Sequence, residues 1–268
     1  MLCENFMENF QAIVLEAGNL IVHAEDIAVA KEKEGTFNFV TKYDTMVQDY
    51  LIRKLKLLLP EASFLGEENG QSSDPMTEPY CFIIDPIDGT TNFLCHFQCS
   101  AISVALSCHG KVTHGIVYNP FRKELFSAEV GKGAFLNGRP ICVSDKALCD
   151  GVFIFGTTPY NPELRDSAFA LAKDISSLTM DLRELGAASI CLCYVACGRA
   201  VAYASPRLCT WDYAAASIIL TEAGCALTDF DGSPLDFRTK VPVVASTPTG
   251  LKQFLAVSQK YAGHFSTH

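Results

Sequence analysis

The sequence predicts an α/β fold of the mixed α+β kind, and three observations carry the prediction. Apolar residues recur at helical spacing near the N-terminus and again after Trp211. Short apolar runs bounded by turn residues follow one another from Ala101 to Val130, as in an antiparallel sheet. No fixed-period repeat, low-complexity tract or Pro/Gly/Ser-rich linker interrupts the 268 residues, so we expect a single domain over residues 1–268.

The first half of the chain opens with helical patterns. Apolar residues spaced by three and four, beginning with Phe6, Phe10 and Ile13, predict an amphipathic helix from residue 5 to about residue 30. The next predicted elements are a surface loop over residues 31–38, a helix from about Tyr43 to Leu59 that Pro60 ends, a brief strand over Ala62–Leu65, a polar loop over residues 70–79 and a buried strand over Tyr80–Ile84. The polar loop fits a mobile lid and a passive connection equally well.

The second half mixes strands and helices. Turns at His109-Gly110 and Asn119-Pro120 join three predicted strands into an antiparallel meander, and Asn137-Gly138 indicates a hairpin. The predicted elements are strands over Ala101–Cys108, Lys111–Tyr118, Lys123–Val130 and Gly151–Thr157, a helix from about Pro162 to Leu178, a strand near Thr179–Leu182, a helix over Gly186–Cys197 and a helix from Trp211 to Ala223 that ends at Gly224.

Composition limits the classes of partner. The formal net charge is -9, so charge alone gives the chain no grip on a nucleic acid polymer or an anionic membrane, and we expect neither as a partner. The N-terminal MLCENFMENF lacks the features of a secretory signal, and the twelve cysteines form no C-x-x-C pair, so we expect a cytoplasmic protein. Cys95, His96 and Cys99 lie close together in sequence but lack a second ligand pair for zinc.

The stretch YCFIIDPIDGTTNF, from Tyr80 to Phe93, is the strongest candidate for a functional site. An apolar run ends on Asp85 and Asp88, three residues apart across a proline bend at which we expect the strand to stop. Gly89 lets the backbone approach a ligand closely, and Thr90 follows with a hydroxyl and helix-capping chemistry. Two carboxylates and free N–H groups suit a cation and an anion together. The alternative is an ordinary Asp/Pro/Gly turn.

Further carboxylates lie in separate segments. Asp44 and Asp212 each occupy the first turn of a predicted helix, where a cap role alone would explain them, although both are also well placed to act in a site. Glu67 and Glu68 follow Gly66, and because adjacent residues of an extended chain point to opposite sides, only one of them is expected to bind a metal directly.

Taken together, these features resemble the inositol monophosphatase family. The resemblance rests on VTKYD ending at Asp44, GEEN, DPIDGTTNF, the segment led by Gly186, and WDYAAASIILTEAG, in the family's order over nearly the whole chain. It implies a layered α-β-α-β-α sandwich of the type that inositol monophosphatase and fructose bisphosphatase share. It also implies a Mg²⁺-dependent phosphomonoesterase, usually a homodimer.

The resemblance also assigns roles to individual residues. The implied metal ligands are Glu67, Asp85 and the Ile87 carbonyl for one Mg²⁺, Asp85, Asp88 and Asp212 for a second, and Glu67 with water for a third. Asp44 and Thr90 would polarise the attacking water, with Glu68 supporting the metal ligands from behind. The implied substrate contacts are Gly89, Thr90, Thr91, Gly186, Ala187, Ala188, Ser205 and Arg207.

The residue types agree with this chemistry without the family. Mg²⁺ prefers hard oxygen ligands and is usually held by carboxylates together with substrate phosphate. Two such ions can clamp an in-line displacement and lower the pKa of bound water. A phosphoenzyme formed on Asp85 is the alternative, but DPIDG lacks the D-x-D-x-T pattern expected for that route, so direct attack by water is preferred.

The chain departs from the family pattern where the substrate is read. Ser205 stands where the family's inositol phosphatases carry a glutamate, and GAAS replaces GTAA at Gly186. In the 31–38 loop, Asn38 stands where the family often has an aspartate, and Lys33 occupies the family's loop-lysine position. Arg207 or Arg183 could read a second anionic group, and a surface role explains either equally well.

These departures leave the substrate open among an inositol monophosphate or a related polyol or sugar phosphate, fructose 1,6-bisphosphate and a 3′,5′-bisphosphate nucleotide. The rival of another class is a catalytically silent binding or regulatory homologue. The intact carboxylate set argues against that rival, since a silent protein would have no need of a full metal shell.

Overall fold

The computed structural model describes residues 2, 5–32, 39–68, 72–237 and 240–265, with the backbone alone over 29–32. Seven α-helices lie within these ranges: α1 Phe6–Val22, α2 Lys42–Leu58, α3 Thr90–Leu94, α4 Arg165–Ser176, α5 Ala188–Ala196, α6 Thr210–Glu222 and α7 Pro248–Ser258. The strands are β1 Val29–Glu32, β2 Phe39–Thr41, β3 Ser63–Gly66, β4 Tyr80–Asp88, β5 Ala101–Cys108, β6 Lys111–Asn119, β7 Glu124–Glu129, β8 Gly133–Leu136, β9 Arg139–Ile141, β10 Val152–Phe155, β11 Asp181–Arg183, β12 Ala202–Leu208, β13 Ala226–Thr228 and β14 Val241–Ser246.

Two sheets organise the fold. The larger has seven strands in the order β3-β4-β5-β6-β7-β8-β9, and only its β3–β4 pair is parallel. The smaller has five strands in the order β11-β10-β12-β14-β13, with β10 parallel to both of its neighbours. Sequence neighbours pair along the larger sheet, so it is a meander with one parallel strand added at its edge.

The two sheets and the helices form five layers. One face of the larger sheet, including Phe82, packs against α1 and α2. Its other face, including Ile83, packs against α5 and α6, which also cover one face of the smaller sheet around Tyr203. The opposite face of the smaller sheet, including Phe153, packs against α4 and α7. The α-β-α-β-α sandwich implied by the resemblance is therefore confirmed, and α5 and α6 form its central layer.

Most predicted elements are confirmed to within a few residues. The α2 helix, the β5-β6-β7 meander, the hairpin at Asn137-Gly138 and α6 agree with their predicted ranges. Gly224 follows the end of α6 with φ 88°, as a C′ glycine does. Strand β12 and the region of β13, β14 and α7 were not predicted from the sequence.

The first helix is shorter than predicted. Buried residues spaced by four and three, from Phe6 to Ile21, confirm its apolar face, but α1 ends at Val22 and not near residue 30. Val29–Glu32 forms a strand that pairs antiparallel with Phe39–Thr41, so the first residues of the expected 31–38 loop belong to β1. The helical spacing of apolar residues does not continue beyond Ala24, and the chain there forms a strand that pairs with β2. Lys33 and Asn38 lie outside the described residues.

The buried strand is longer than predicted. The expectation that it stops in a bend at Pro86 was wrong, because β4 continues to Asp88. Asp85 lies opposite Ser103 and Asp88 opposite Ala101, so β4 carries one extra residue and forms a bulge. A bulge tolerates a proline that has no N–H to donate.

The connection that leads into β4 lies against the sheet. Ser72 forms a bridge with Leu65, the Ser73 N–H donates to the Phe64 carbonyl and the Ser107 hydroxyl donates to the Pro75 carbonyl. These bonds favour the passive connection over the lid for residues 72–79, while residues 69–71 are outside the described ranges. No helix in the described part of the chain is long and apolar enough to cross a membrane.

Candidate active site

The bulge at the end of β4 sets the position of two acidic side chains. The Asp85 carboxylate is 2% exposed and accepts a hydrogen bond of 3.1 Å from the Ile87 N–H. Asp88 is also buried, three residues further along the same strand. The extra residue of the bulge lets both carboxylates lie at the strand end, so the proline-containing segment is a bulged strand and not an ordinary turn.

Two glycines bring the α3 helix against a second loop. Gly89 is the N-cap of α3 with φ 83°, and Gly186 has φ 73°. A Cβ added at Gly89 would lie 2.9 Å from the Gly186 carbonyl oxygen, so the two backbones touch. The Asn92 side chain donates to the Leu185 carbonyl at 2.6 Å and to the Cys99 carbonyl at 2.7 Å, which ties the contact in place. The N–H groups of the first turn of α3 have no partners within the helix.

Asp44 caps a helix and faces the site at once. Its Oδ2 accepts hydrogen bonds from the Thr41 N–H at 2.7 Å and the Thr41 hydroxyl at 2.5 Å, closing a capping box at the start of α2. Its Oδ1 lies 3.2 Å from the Thr90 hydroxyl, which is also 3.2 Å from the Ile87 carbonyl oxygen. The cap therefore fixes the carboxylate and leaves one oxygen directed toward Thr90.

The Asp88 carboxylate accepts hydrogen bonds from the first residues of α5. Its Oδ1 accepts from the Ala188 N–H at 3.0 Å, and its Oδ2 accepts from the Ser189 N–H at 2.7 Å and from the Ser189 hydroxyl. These bonds connect the larger sheet to the central helical layer. The Ala188 N–H, one of the predicted substrate contacts, is already engaged by Asp88.

Glu67, Glu68 and Asp212 approach from two other segments. Gln48, one helical turn after Asp44 on α2, accepts from the Glu68 N–H at 2.9 Å and donates to the Glu68 carbonyl. Glu68 is buried, whereas Glu67 is half-buried. The Asp212 carboxylate accepts from the Cys209 N–H at 2.7 Å at the start of α6.

The carboxylates are close enough to raise one another's pKa values. Burial raises the pKa of Asp85 well above its usual range, and the charges of Glu67, Asp88, Asp212 and Asp44 raise it further. Burial likewise raises the pKa of Asp88 to about 6 against the lowering effect of the bonds from α5. Burial, then Asp88 and Glu67, raise the pKa of Asp212, and burial raises that of Asp44. Five acids thus lie close together, and their combined negative charge favours binding of a cation.

The donor set suits Mg²⁺ by the chemistry of its oxygens and by the nearness of the acids to one another. Hard carboxylate and carbonyl oxygens from four segments face a common region, which is the ligand type this ion prefers. Within the described ranges, no three His, Cys, Asp or Glu side chains are arranged to hold one ion as they stand. These residues therefore fit Mg²⁺ in the type of their oxygen ligands and in their nearness to one another.

The predicted substrate contacts divide into two groups. Thr91 and Ala187 adjoin the Gly89–Gly186 contact, at the start of α3 and just before α5. Ser205 lies in β12 and is 1% exposed, while the Arg207 guanidinium lies 3.2 Å from a carboxylate oxygen of Glu163.

Ser205 lies near other hydroxyl groups, and Arg183 forms an ion pair. A Cβ built on Gly156 would lie 2.8 Å from the Ser205 Oγ and 2.9 Å from the Tyr203 hydroxyl, so two neutral hydroxyls lie side by side against Gly156. Arg183 is an exposed residue of β11 that pairs with Asp181 at 2.5 Å. Both candidate anion-reading arginines therefore already have an acidic partner.

Three residues that hold the acids in place were not predicted from the sequence. Thr41 forms the capping box, and the pattern T-x-x-D was visible as a capping signal. Gln48 lies four residues after Asp44, a spacing that puts both on one helix face. Ser189 bonds to Asp88 across more than a hundred residues, and no local signal could have revealed that contact.

Comparison with known proteins agrees with the geometry. The family model described as the inositol monophosphatase family matches residues 4–262. An inositol-1-monophosphatase of Synechocystis sp. is 37% identical over 210 residues, covering 78% of this chain and 73% of that protein. The Nus factor SuhB of Pseudomonas aeruginosa is 32% identical over 91% of this chain and 92% of its own length.

Solved structures are similar over nearly the whole chain. The extragenic suppressor protein suhB of Bartonella henselae superposes with a TM-score of 0.87 at 30% identity, covering 95% of this chain and 98% of that one. SaIMPase-II superposes with TM-scores of 0.83 with 2′AMP bound and 0.84 with inositol monophosphate bound, each at 26% identity and over 98% of this chain and 97% and 98% of those chains. By family model, sequence identity and fold, this chain belongs to the inositol monophosphatase family.

Proposed function

We propose that this protein is a Mg²⁺-dependent phosphatase that hydrolyses a small phosphomonoester by direct attack of water and releases inorganic phosphate. The observation that carries the proposal is the arrangement of Asp44, Thr90 and the Ile87 carbonyl, each within 3.2 Å of the next, beside the buried Asp85 and Asp88. A base, a hydroxyl that can relay a proton and a cluster of acids then lie next to the N-terminus of α3.

The ligand sets follow the family resemblance. Glu67, Asp85 and the Ile87 carbonyl would hold one Mg²⁺, Asp85, Asp88 and Asp212 a second, and Glu67 with water a third, with Glu68 behind them. When bound, such ions neutralise the carboxylates, lower the pKa of water and stabilise the charge of the in-line transition state.

The chain's own groups prepare the water and the phosphate. The Asp44 pKa is raised by burial, which makes its carboxylate a better base near neutral pH. Thr90 donates to Asp44 and can accept a hydrogen bond from the attacking water, so as the new O–P bond forms the water's proton moves to the Thr90 oxygen and the Thr90 proton moves to Asp44. The ester O–P bond breaks and the leaving alkoxide takes a proton from solvent. Free N–H groups at the start of α3, around Gly89 and Thr90, favour the phosphate anion.

The substrate class remains wider than inositol monophosphate. Ser205 supplies a buried neutral hydroxyl where the family's inositol phosphatases carry a glutamate, so the hydrogen bonding of the pocket differs. SaIMPase-II binds both 2′AMP and inositol monophosphate, which supports a pocket of this fold that takes polyol or nucleotide esters. Fructose 1,6-bisphosphate and 3′,5′-bisphosphate nucleotides are the alternatives, and they require Arg207 or Arg183 to exchange its acidic partner for substrate. We also propose a homodimer, as the family resemblance implies, and a cytoplasmic location, which the absence of C-x-x-C pairs among the twelve cysteines favours.

A regulatory role is the second candidate. Relatives named Nus factor SuhB match about nine tenths of this chain at 31–34% identity, and their name is that of a factor and not of a phosphatase. A regulatory role is the function that we propose for this protein if it hydrolyses no phosphomonoester.

Phosphate release from a panel of esters tests the proposal. The panel contains inositol 1-phosphate, 2′AMP, fructose 1,6-bisphosphate and 3′-phosphoadenosine 5′-phosphate, each with Mg²⁺ and with a chelator. We expect Mg²⁺-dependent release from at least one ester and none from the Asp88→Asn variant. Release that persists with chelator, or its absence from every ester, would reject the metal-dependent phosphatase and leave the regulatory candidate.

A further inference from the structure

A pocket of about 360 Å³, which we call the α1–α3 pocket, lies at the C-terminal end of α3. Three parts of the chain form its walls: the end of α1 with the residues that follow it, the end of α3 with its following loop, and the turn between β6 and β7. Ile21, Phe93 and Pro120 each belong to one of these walls. The volume lies within the range of sites that hold small molecules.

The buried part of the lining, which we call the floor, is apolar. Ile21, Phe93 and Pro120 are buried, and Ala24 and Ile27 are half-buried. None of these five side chains has a hydrogen-bonding group. Burial of a hydrocarbon chain against such a surface is favourable, whereas a sugar would lose its hydrogen bonds to water there without replacing them. The floor therefore selects an aliphatic group.

Asn92 also lines the pocket, but its amide is turned toward another loop. The Asn92 Nδ2 donates to the Leu185 carbonyl at 2.6 Å and to the Cys99 carbonyl at 2.7 Å. A Cβ built on Gly186 would lie 2.9 Å from the same nitrogen and 3.0 Å from the Asn92 Oδ1. Both polar atoms of this side chain therefore face the loop before α5, and the pocket receives only its aliphatic stem.

Three of the exposed lining residues, His96, Gln98 and Lys123, form a polar rim. Their φ values are 57°, 58° and 54°, in the left-handed region that residues with side chains rarely adopt. The Asn119 side chain donates to the Gln98 carbonyl at 3.3 Å, and the Asn137 side chain donates to the Lys123 carbonyl at 2.9 Å. Uncommon backbone that its surroundings hold in this way is typical of ligand clamps. The backbone of the rim is thus held while its side chains remain exposed.

The rim carries a positive charge and hydrogen-bond donors. Neither the His96 ring nor the Lys123 ammonium has an ion-pair partner among the residues that the structure describes, and the neighbouring Glu124 carboxylate is already paired with Arg199 at 2.7 Å and Arg122 at 3.5 Å. The described residues that line the pocket include no acid, although the whole chain has a net charge of -9. The mouth of the pocket therefore favours an anion.

The pocket is separate from the proposed active site. The Phe93 ring packs edge-on against the Tyr43 ring, with 5.8 Å between their centroids. Tyr43 immediately precedes Asp44, and its hydroxyl donates to the Glu25 carbonyl at 2.6 Å. The described lining includes none of the proposed metal ligands, and neither Asp44 nor Thr90. A ligand can therefore occupy the pocket without occupying the site of hydrolysis.

We propose that the α1–α3 pocket binds a free medium-chain aliphatic carboxylate. Its hydrocarbon chain packs against the floor formed by Ile21 and Phe93, and its carboxylate accepts hydrogen bonds from the Lys123 ammonium and the His96 ring at the rim. The floor supplies most of the affinity and the rim selects the charge of the head group, because an exposed ion pair contributes little. This inference goes beyond the proposed phosphatase function and does not depend on it.

Isothermal titration calorimetry of the full chain with hexanoate, octanoate and octan-1-ol tests the proposal. We expect one saturable site per chain, and an affinity that rises about fourfold for each methylene added between hexanoate and octanoate. Octan-1-ol should also bind to the floor and serves as the uncharged comparison. The absence of saturable octanoate binding, or an affinity that does not depend on chain length, would overturn the proposal.

Lys123→Gln tests the rim, because it removes the charge and keeps most of the stem. This variant should bind octanoate about two- to fivefold more weakly, as expected for the loss of an exposed ion pair, and should bind octan-1-ol unchanged. Lys111→Gln is the matched control, since Lys111 is exposed at the start of β6 and does not line the pocket. Equal effects of the two substitutions on octanoate would mean that net charge attracts the carboxylate, and would reject the rim as its binding site.

Ala24→Leu tests the floor by filling part of the pocket. Both octanoate and octan-1-ol should bind at least about tenfold more weakly, since each buried methylene that is displaced costs about fourfold in affinity. Ala28→Leu adds the same side chain at an exposed position of the same segment that does not line the pocket, and it should leave both affinities unchanged. Urea unfolding shows that the variants are folded. Unchanged octanoate binding by folded Ala24→Leu would place the ligand elsewhere and refute the proposal.

Two further measurements distinguish this site from the alternatives. Octanoate should bind equally well with Mg²⁺, with a chelator and to Asp88→Asn, because the described lining shares no residue with the cluster of acids. Binding that requires Mg²⁺ or Asp88 would place the carboxylate at the proposed active site and overturn the inference. Size-exclusion chromatography should give the same molecular mass with and without octanoate, and a change of mass would instead identify the pocket as an interface between copies of this chain. Failure of the phosphatase proposal would leave all of these binding results unaffected.

Discussion

The Thr90 hydroxyl lies 3.2 Å from the Asp44 Oδ1 and equally far from the Ile87 carbonyl oxygen. One hydroxyl proton can serve only one of these acceptors at a time. The Thr90 hydroxyl therefore has two alternative orientations. In one it donates to Asp44, the proposed base, and in the other it donates to the carbonyl of Ile87, a proposed metal ligand.

Removing this hydroxyl should slow the chemical step. For Thr90→Val we expect kcat to fall by about a hundredfold or more, because general-base catalysis contributes roughly 10²–10⁴-fold. Thr90→Ser keeps the hydroxyl and should retain most of the activity. Thr41→Ala is the structural comparison, and it should lower the free energy of unfolding by about 1 kcal/mol through loss of the cap. A Thr90→Val enzyme with wild-type kcat in steady-state assays would contradict the relay.

Asp88→Asn should abolish turnover and keep the fold. The loss should be about a thousandfold or more, since metal ions supply several kcal/mol of transition-state stabilisation and each 1.4 kcal/mol is tenfold. An amide in place of the carboxylate also meets three donors with one acceptor oxygen, which should lower the free energy of unfolding by about 1–3 kcal/mol.

Ser189→Ala is the matched control for that variant. It removes one of the bonds to Asp88 and leaves the carboxylate, so its kcat should fall by less than about tenfold. Phosphate release and urea unfolding measure the two effects. Equal activity losses in Asp88→Asn and Ser189→Ala would mean that Asp88 acts only by holding α5.

The raised pKa values predict how pH affects stability. Asp88 ionises at about 6 in the folded protein, above the usual value of about 3.9 for an unfolded chain, so the folded state binds more protons between these values. Its favourable contribution is therefore complete at low pH and is lost as the pH rises through about 6; Asp44, Asp85 and Asp212 shift in the same direction.

Without metal, the melting temperature should accordingly fall between about pH 5 and pH 7, and the stabilisation by Mg²⁺ should grow over the same interval as protons leave the ligands. Thermal melts with and without Mg²⁺ measure both trends, and Asp88→Asn should flatten them. A Mg²⁺ effect of equal size at both pH values would refute the cluster as the metal site.

The contact between Gly89 and Gly186 should be intolerant of a side chain. In Gly89→Ala, the new Cβ would lie 2.9 Å from the Gly186 carbonyl oxygen at φ 83°. Gly131 has φ 74° with open space around it and provides the control. Gly131→Ala should cost about 1–2 kcal/mol of stability from the left-handed backbone alone. Gly89→Ala should cost about 1–3 kcal/mol more from the clash and should also lower kcat/KM, as urea unfolding and kinetics can measure.

Elements that depend on local signals were predictable from the sequence. The helix that begins after Thr41, the meander from Ala101 and the turn at Asn137-Gly138 each carry their own spacing or turn chemistry. The errors occurred where a distant partner decides the structure. Helical spacing continues to Ala24, but pairing of Val29–Glu32 with β2 takes over, and β4 passes Pro86 because β5 accommodates a bulge.

The same division applies to the site. Asp85, Asp88 and their glycine were visible because they lie in one short motif. Ser189 was not, since it meets Asp88 from a segment about a hundred residues away. A periodic pattern records which face of an element is buried, but it does not record which other element covers it.

Three of the acids also hold the ends of helices: Asp44 closes the cap of α2, Asp88 receives the first N–H groups of α5, and Asp212 closes the start of α6. In evolutionary terms, selection for folding alone would keep these carboxylates in a lineage that had abandoned hydrolysis. These three acids are then inherited with the scaffold, and a regulatory descendant would carry them as faithfully as an enzyme. Members of this family are better sorted by turnover and by the lining of the leaving-group pocket than by their acidic residues.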